Sequence, residues 1–127
     1  ERKAFTVSVA DEAHLVEADY VGLVSGNDVP DKLERSGLHA TRSEFVDAPV
    51  IDELPLVLEC KLVSYDPDSH FMVGRIVNAG ADEAILDEAG MIDPAKLKPL
   101  TFDPANGTYW SLGEKMGKAF SDGSQLK

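Results

Sequence analysis

Three histidines, His14, His39 and His70, and one cysteine, Cys60, are the residues best suited to metal ligation or proton transfer, and their spacing supports neither. Each sits in a different segment, so no metal-ligand cluster forms along the chain. No G-x-G-x-x-G, Walker-type or G-x-S-x-G pattern is present. Carboxylates are abundant, and on so acidic a chain their proximity carries little information. Lys32 in SGNDVPDK, His70 where a turn becomes a strand, and Phe102 between Thr101 and Asp103 are weak singletons. Taken singly, they are ordinarily a solvated lysine, a turn histidine and a core aromatic.

The chain is organised around the stretch from Leu54 to Ala81. Two apolar-rich runs flank Asp66-Pro67-Asp68-Ser69, which predicts a long hairpin with proline in its turn. On its first strand Leu56, Leu58, Cys60 and Leu62 share one face and Glu59 and Lys61 the other. Cys60 therefore reads as a buried, inert thiol. Ahead of the hairpin, Phe5, Val7 and Val9 alternate as in a strand. Asp11 has the character of an N-cap, and Ala13, Val16, Tyr20, Leu23 and Val24 follow as an apolar helical stripe that Gly26 would close. Asp31 to Ser36 reads as a helical turn ended by Gly37. Residues 38–45 read as an edge-like extended segment, and 46–55 as a surface connection.

After the hairpin, residues 81–91 extend the strand and turn at Glu88-Ala89-Gly90. Asp93-Pro94 opens a one-turn helix, Leu100-Thr101-Phe102 is extended, and Asn106-Gly107 is a tight turn. Ser111 and Glu114 have capping-box spacing. With Leu112, Met116, Ala119 and Phe120 they predict a terminal helix, packed through Tyr109 and Trp110.

The length suits one domain, and the formal net charge of −11 argues against nucleic acid and anionic membrane as partners. No apolar run approaches a membrane span and no signal peptide is visible, so a reducing, cytoplasmic setting is expected.

Several segments in order carry a resemblance: ADYVGLVSGNDVPDK, DAPVIDELPLVLECKLV, DSHFMVGRIV and IDPAKLKPLTFDPANGTYWSLGEKMGKAF. Together they resemble the flavin reductase-like, FMN-binding split-barrel family, and its flavoredoxin-like branch in particular. The resemblance runs from about Phe5 to Phe120. It implies a mainly β, β-barrel-centred α+β fold, usually a homodimer, binding FMN and performing redox chemistry at the flavin. Lys32, His70 and Phe102 match flavin-contacting positions of that branch. A lysine can neutralise phosphate or the pyrimidine edge, a histidine can hydrogen-bond an anionic oxygen, and a phenylalanine can cover the ring.

The resemblance also implies either a nicotinamide donor, NADH or NADPH, or a protein electron donor. The alternatives are a flavoredoxin-like carrier with no nicotinamide site and a flavin-free interaction module. No catalytic acid or base is implied. The resemblance also implies further strands ahead of the point where this sequence starts, so residues 1–127 are expected to form a single domain corresponding to the C-terminal two-thirds of the family domain. Exposed edges and apolar surface are expected of them.

Overall fold

A computed structural model describes residues 2–127. The fold is mainly β with a few short helices. Its largest sheet has the order β1-β4-β5, with β1 Ala4–Ser8, β4 Leu56–Tyr65 and β5 Met72–Ala81 all antiparallel. Two small ribbons complete it: β2 Ala40–Arg42 with β3 Pro49–Ile51, and β6 Leu100–Asp103 with β7 Thr108–Ser111. The helices are α1 Leu15–Leu23, α2 Lys32–Ser36 and α3 Pro94–Leu97.

The expected long hairpin is the centre of the structure, and β4 is its only strand paired on both sides. It is re-phased twice. Glu59 faces Asn78 while Cys60 faces Ile76, leaving Val77 as an extra residue on β5; Leu62 faces Gly74 while Ser64 faces Val73, leaving Val63 extra on β4. Each bulge reverses the alternation beyond it. Strict alternation would put Asn78 on the Ile76 face; the bulge at Val77 puts it across from Glu59 instead.

The face carrying Val57 and Glu59 is covered by residues 43–49. Val46 and Ala48 are buried there, and Thr6 donates its hydroxyl to the Pro49 carbonyl. The surface connection anticipated over 46–55 is therefore partly core, and it contains β3. Its prolines are compatible with a strand because β3 has one neighbour only. Cys60 is buried with a free thiol, as its face suggested.

On the Cys60 face, the Phe5 ring lies over Gly74. A Cβ at Gly74 would collide with Cζ and Cε1 of the Phe5 ring. This glycine is required by a close approach across the sheet.

Asp11 caps the one-turn 3-10 helix Glu12–His14 by accepting the His14 amide, and Asp93 accepts from Ala95 with Pro94 in the first turn of α3. Gly37 ends α2 in the left-handed region, as expected. Other expectations fail. Helix α1 ends at Leu23 with Val24 extended, so Gly26 is not its cap. Val16 and Leu23, assigned to the inward stripe, are exposed, and no side chain among the described residues is wholly enclosed.

Beyond Asp82 a 3-10 turn, Glu83–Ile85, buries Ile85 in place of a continued strand. The terminal helix does not form. Ser111 ends strand β7, and residues 112–119 are irregular. Gly113 and Gly117 weaken helix in that stretch, and pairing with β6 takes up the residues the capping box would have used. Trp110 is accordingly exposed.

Replacing Gly74 with alanine should destabilise the chain by about 1–3 kcal/mol in urea unfolding, because the Phe5 ring has to move. Adding Phe5→Leu should return part of that loss; strictly additive effects would show that the two positions do not meet.

Candidate functional site

Helix α1 places two of the three expected site residues. At its C-terminal end the Lys32 ammonium donates to the carbonyls of Val21 (2.7 Å) and Val24 (2.9 Å). Those carbonyls lack intrahelical partners, so the lysine caps the helix at the negative end of its dipole. The intervening turn is held by Val29 N–H on the Ser25 carbonyl and Asn27 N–H on Ser25 Oγ. Two of the three ammonium hydrogens are thus committed, leaving one for a ligand.

Midway along α1, Asp19 accepts a 2.6 Å hydrogen bond from the Tyr109 hydroxyl. That bond pushes the Tyr109 phenol up from its ordinary value. The Tyr109 ring meets Phe102 across the β6–β7 ribbon, with centroids 5.6 Å apart and a 40° tilt. Phe102 is exposed, with a ring available to a ligand, and not the core residue its apolar type alone suggests. The ribbon's turn is closed by the Asp103 carboxylate, which accepts from Asn106 Nδ2 at 2.7 Å and from Ala105 N–H at 3.0 Å. The Asn106 bond is the leading cause of its lowered pKa. At the ribbon's other end, Leu100 N–H bonds the Ala10 carbonyl and Glu12 N–H the Lys98 carbonyl, fixing it to the start of α1.

His70 stands apart, at the tip of the β4–β5 hairpin. Its φ is +61°, an uncommon conformation that histidine tolerates better than most residues. Its Nδ1 lies 3.3 Å from the Tyr65 hydroxyl. The turn beneath it is organised by Asp66, which accepts from Ser69 Oγ (2.8 Å) and Asp68 N–H (2.9 Å). Those donors, the serine hydroxyl first, hold the Asp66 carboxyl below the usual range. Among the described residues no hydrogen bond or ring contact joins His70 to Lys32 or Phe102.

Two further features escaped the sequence reading. Glu59, assigned to the outer face, is only 5% exposed. Its carboxylate accepts from Ser43 Oγ at 2.7 Å and from Asn78 Nδ2. Ser43 Oγ in turn accepts from the Phe45 and Val46 amides, so one carboxylate pins the 43–48 turn to the sheet. Beside that turn is an open cavity of about 420 Å³ lined by Arg2, Lys3, Lys61, Phe45 and Leu62, with Asp47 as its one carboxylate. Lys61 faces Arg75 directly across the strands, a like-charge pair. In an acidic chain this is a locally cationic place with an apolar wall. No group of His, Cys, Asp and Glu among the described residues could hold a metal ion.

The donor set fits a flavin phosphate ester in chemical type: a lysine with one free N–H, an imidazole, an exposed aromatic face and a cationic cavity. The comparisons with known proteins agree on the class. Residues 1–108 match the flavin reductase like domain, and the chain belongs to that family.

Among solved structures it is similar to flavoredoxin of Desulfovibrio vulgaris (Miyazaki F), with 37% identity and a TM-score of 0.90 over 96% of this chain and 66% of that one. A flavoredoxin from Methanosarcina acetivorans aligns at 30% identity and a TM-score of 0.88, over 99% of this chain and 67% of that one. Nitrilotriacetate monooxygenase component B from Bacillus cereus shares the fold at 23% identity and a TM-score of 0.76, over 92% of this chain and 60% of its own. An uncharacterized protein of Aquifex aeolicus is 34% identical over 83 residues, which make up 61% of this chain and 42% of its own. The chain thus spans less than half of that curated relative and about two thirds of the flavoredoxins.

Glu59→Ala should cost about 2–4 kcal/mol in urea unfolding, since it strands the Ser43 and Asn78 donors. An unchanged midpoint would remove the carboxylate from the core.

The Asp66 carboxyl should titrate below about 3.9, its unfolded value. Its contribution to hairpin stability is then complete above that value and lost as pH falls through the lower, folded one. Carbon-detected NMR should show this, with Ser69→Ala moving the titration upward.

Proposed function

We propose that the protein binds FMN and works as a flavin-dependent oxidoreductase or electron carrier. The observation that carries this reading is membership of the flavin reductase like family together with the overlap on two flavoredoxins. When bound, FMN would supply the hydride or electron transfer. The chain's own residues bind and orient. Lys32 directs its remaining N–H at an anionic oxygen, held in place by its two carbonyl partners. Phe102, steadied by Tyr109, covers apolar ring surface. His70 donates to an oxygen from the hairpin tip, with the Tyr65 hydroxyl on its other nitrogen. The cationic cavity beside Lys61 attracts phosphate in an otherwise repulsive field. We propose that the functional unit is a homodimer, as the resemblance to the family implies.

A nicotinamide-dependent reductase and a carrier served by a protein donor share this flavin chemistry. Mixing the FMN-loaded protein with NADH and then NADPH separates them: rapid bleaching of the flavin absorbance marks the reductase.

Titration of FMN into the protein should give saturable fluorescence quenching; absence of binding both by this chain and by a longer chain carrying the upstream strands would sink the reading. Lys32→Ala should weaken FMN by about 1–3 kcal/mol, as for a charge-assisted bond. His70→Ala should weaken FMN or shift its potential. Unchanged values for either variant would take that residue out of the site.

A further inference from the structure

We propose that Asp19 is a positioning residue for the flavin: through the Tyr109 hydroxyl it sets the Phe102 ring, and it refers that ring to the helix whose end Lys32 caps. The inference deepens the proposed FMN site and rests on it.

The β6–β7 ribbon has two strands only, and a two-stranded ribbon holds its own place poorly. Its backbone ties to the body of the chain gather at its base. Leu100 N–H bonds the Ala10 carbonyl at 3.0 Å, Glu12 N–H bonds the Lys98 carbonyl at 2.9 Å, and Asp11 bridges Pro99. Phe102 and Tyr109 stand opposite each other beyond that base, where these ties do not fix the direction of the rings. Among the described residues one hydrogen bond reaches from the ribbon beyond Leu100 to the rest of the chain. It runs from the Tyr109 hydroxyl to Asp19 Oδ1, at 2.6 Å. A hydroxyl donating to a carboxylate makes a short, strong bond of that length. The same bond raises the Tyr109 phenol, so the hydroxyl keeps the proton it donates.

The Tyr109 ring passes this constraint to Phe102. Their centroids are 5.6 Å apart at a 40° tilt, within the range of a direct aromatic contact. On α1, Asp19 lies two residues before Val21, whose carbonyl accepts from the Lys32 ammonium at 2.7 Å. The two proposed flavin contacts therefore share one reference, a single turn of helix. Aspartate is a poorer helix former than alanine, so the Asp19 carboxylate does little for α1 itself and is engaged with the ribbon.

The test compares FMN affinity among variants, in this chain and in a longer chain carrying the upstream strands. Tyr109→Phe keeps the ring and removes only the hydroxyl. Asp19→Ala removes the acceptor and favours the helix. Each should raise the FMN dissociation constant at least about fivefold, and the double variant should be no worse than either single one. Asp19→Asn, whose amide oxygen still accepts from the hydroxyl, should stay within about twofold of wild type. With Phe102→Ala already in place, Asp19→Ala should have no further effect. No loss in either single variant, or equal losses with and without the Phe102 ring, overturns the inference.

A flavin-free measurement separates this link from the flavin reading. In protein carrying Phe102→4-fluorophenylalanine, the fluorine NMR resonance should move with Asp19→Ala and keep its position with Asp19→Asn. An unmoved resonance overturns the positioning whatever FMN does. A resonance that moves in a protein binding no FMN at either length overturns the flavin as the ligand that Phe102 is positioned for, and leaves the link between Asp19 and Phe102 standing.

Discussion

A carboxylate taken out of water must be given donors, and Glu59 is given two from opposite sides of β4. Ser43 comes from the covering turn and Asn78 from the neighbouring strand. The requirement ties three separate features together. The bulge at Val77 exists on the same line of the sheet and turns Asn78 toward Glu59. The 43–48 turn is shaped by Ser43, which accepts two amides while donating to the carboxylate. Val46 and Ala48 are buried as a result, and they form much of what core this small structure has. The polar network and the hydrophobic contacts are therefore one unit: the turn cannot lift from the sheet without stranding a charge.

From that fixed sheet the chain hangs the candidate site on α1. The helix is short and weakly buried, and it is held by what it carries. Lys32 satisfies carbonyls at its C-terminal end, and Tyr109 anchors to Asp19 near its middle. The proposed binding groups are here also structural groups. A ligand at Phe102 feels α1 through Tyr109, and one at Lys32 feels it through the ammonium. His70 is positioned independently, by a turn whose geometry comes from Asp66 and Ser69.

The hairpin, the buried thiol and the small caps were legible because each rests on a local rule: period-2 alternation, a proline-bearing turn, an aspartate before a helical turn. Family membership was legible from segment order, and position within it is what makes Lys32, His70 and Phe102 candidates. Glu59 was not legible. Alternation put it outside, and nothing local says that residues 43–49 fold over that face. Asn78 required a bulge that leaves no mark in composition. The terminal helix failed for a related reason. Its capping box and stripe are local signals, but Tyr109 and Trp110 pair with Phe102 and Thr101, and the strand that results consumes Ser111. The outward Val16 and Leu23 show the same limit: a stripe identifies an apolar face without saying which neighbour, if any, will cover it.

Lys32 has one further consequence. Its ammonium is a three-armed junction with two arms already occupied by the last turn of α1. An anion taking the third arm draws charge from the other two, so occupancy is written into the helix end as a change in how firmly the Val21 and Val24 carbonyls are held. Were an anion bound there, the end of α1 would hold it and respond to it through the same ammonium.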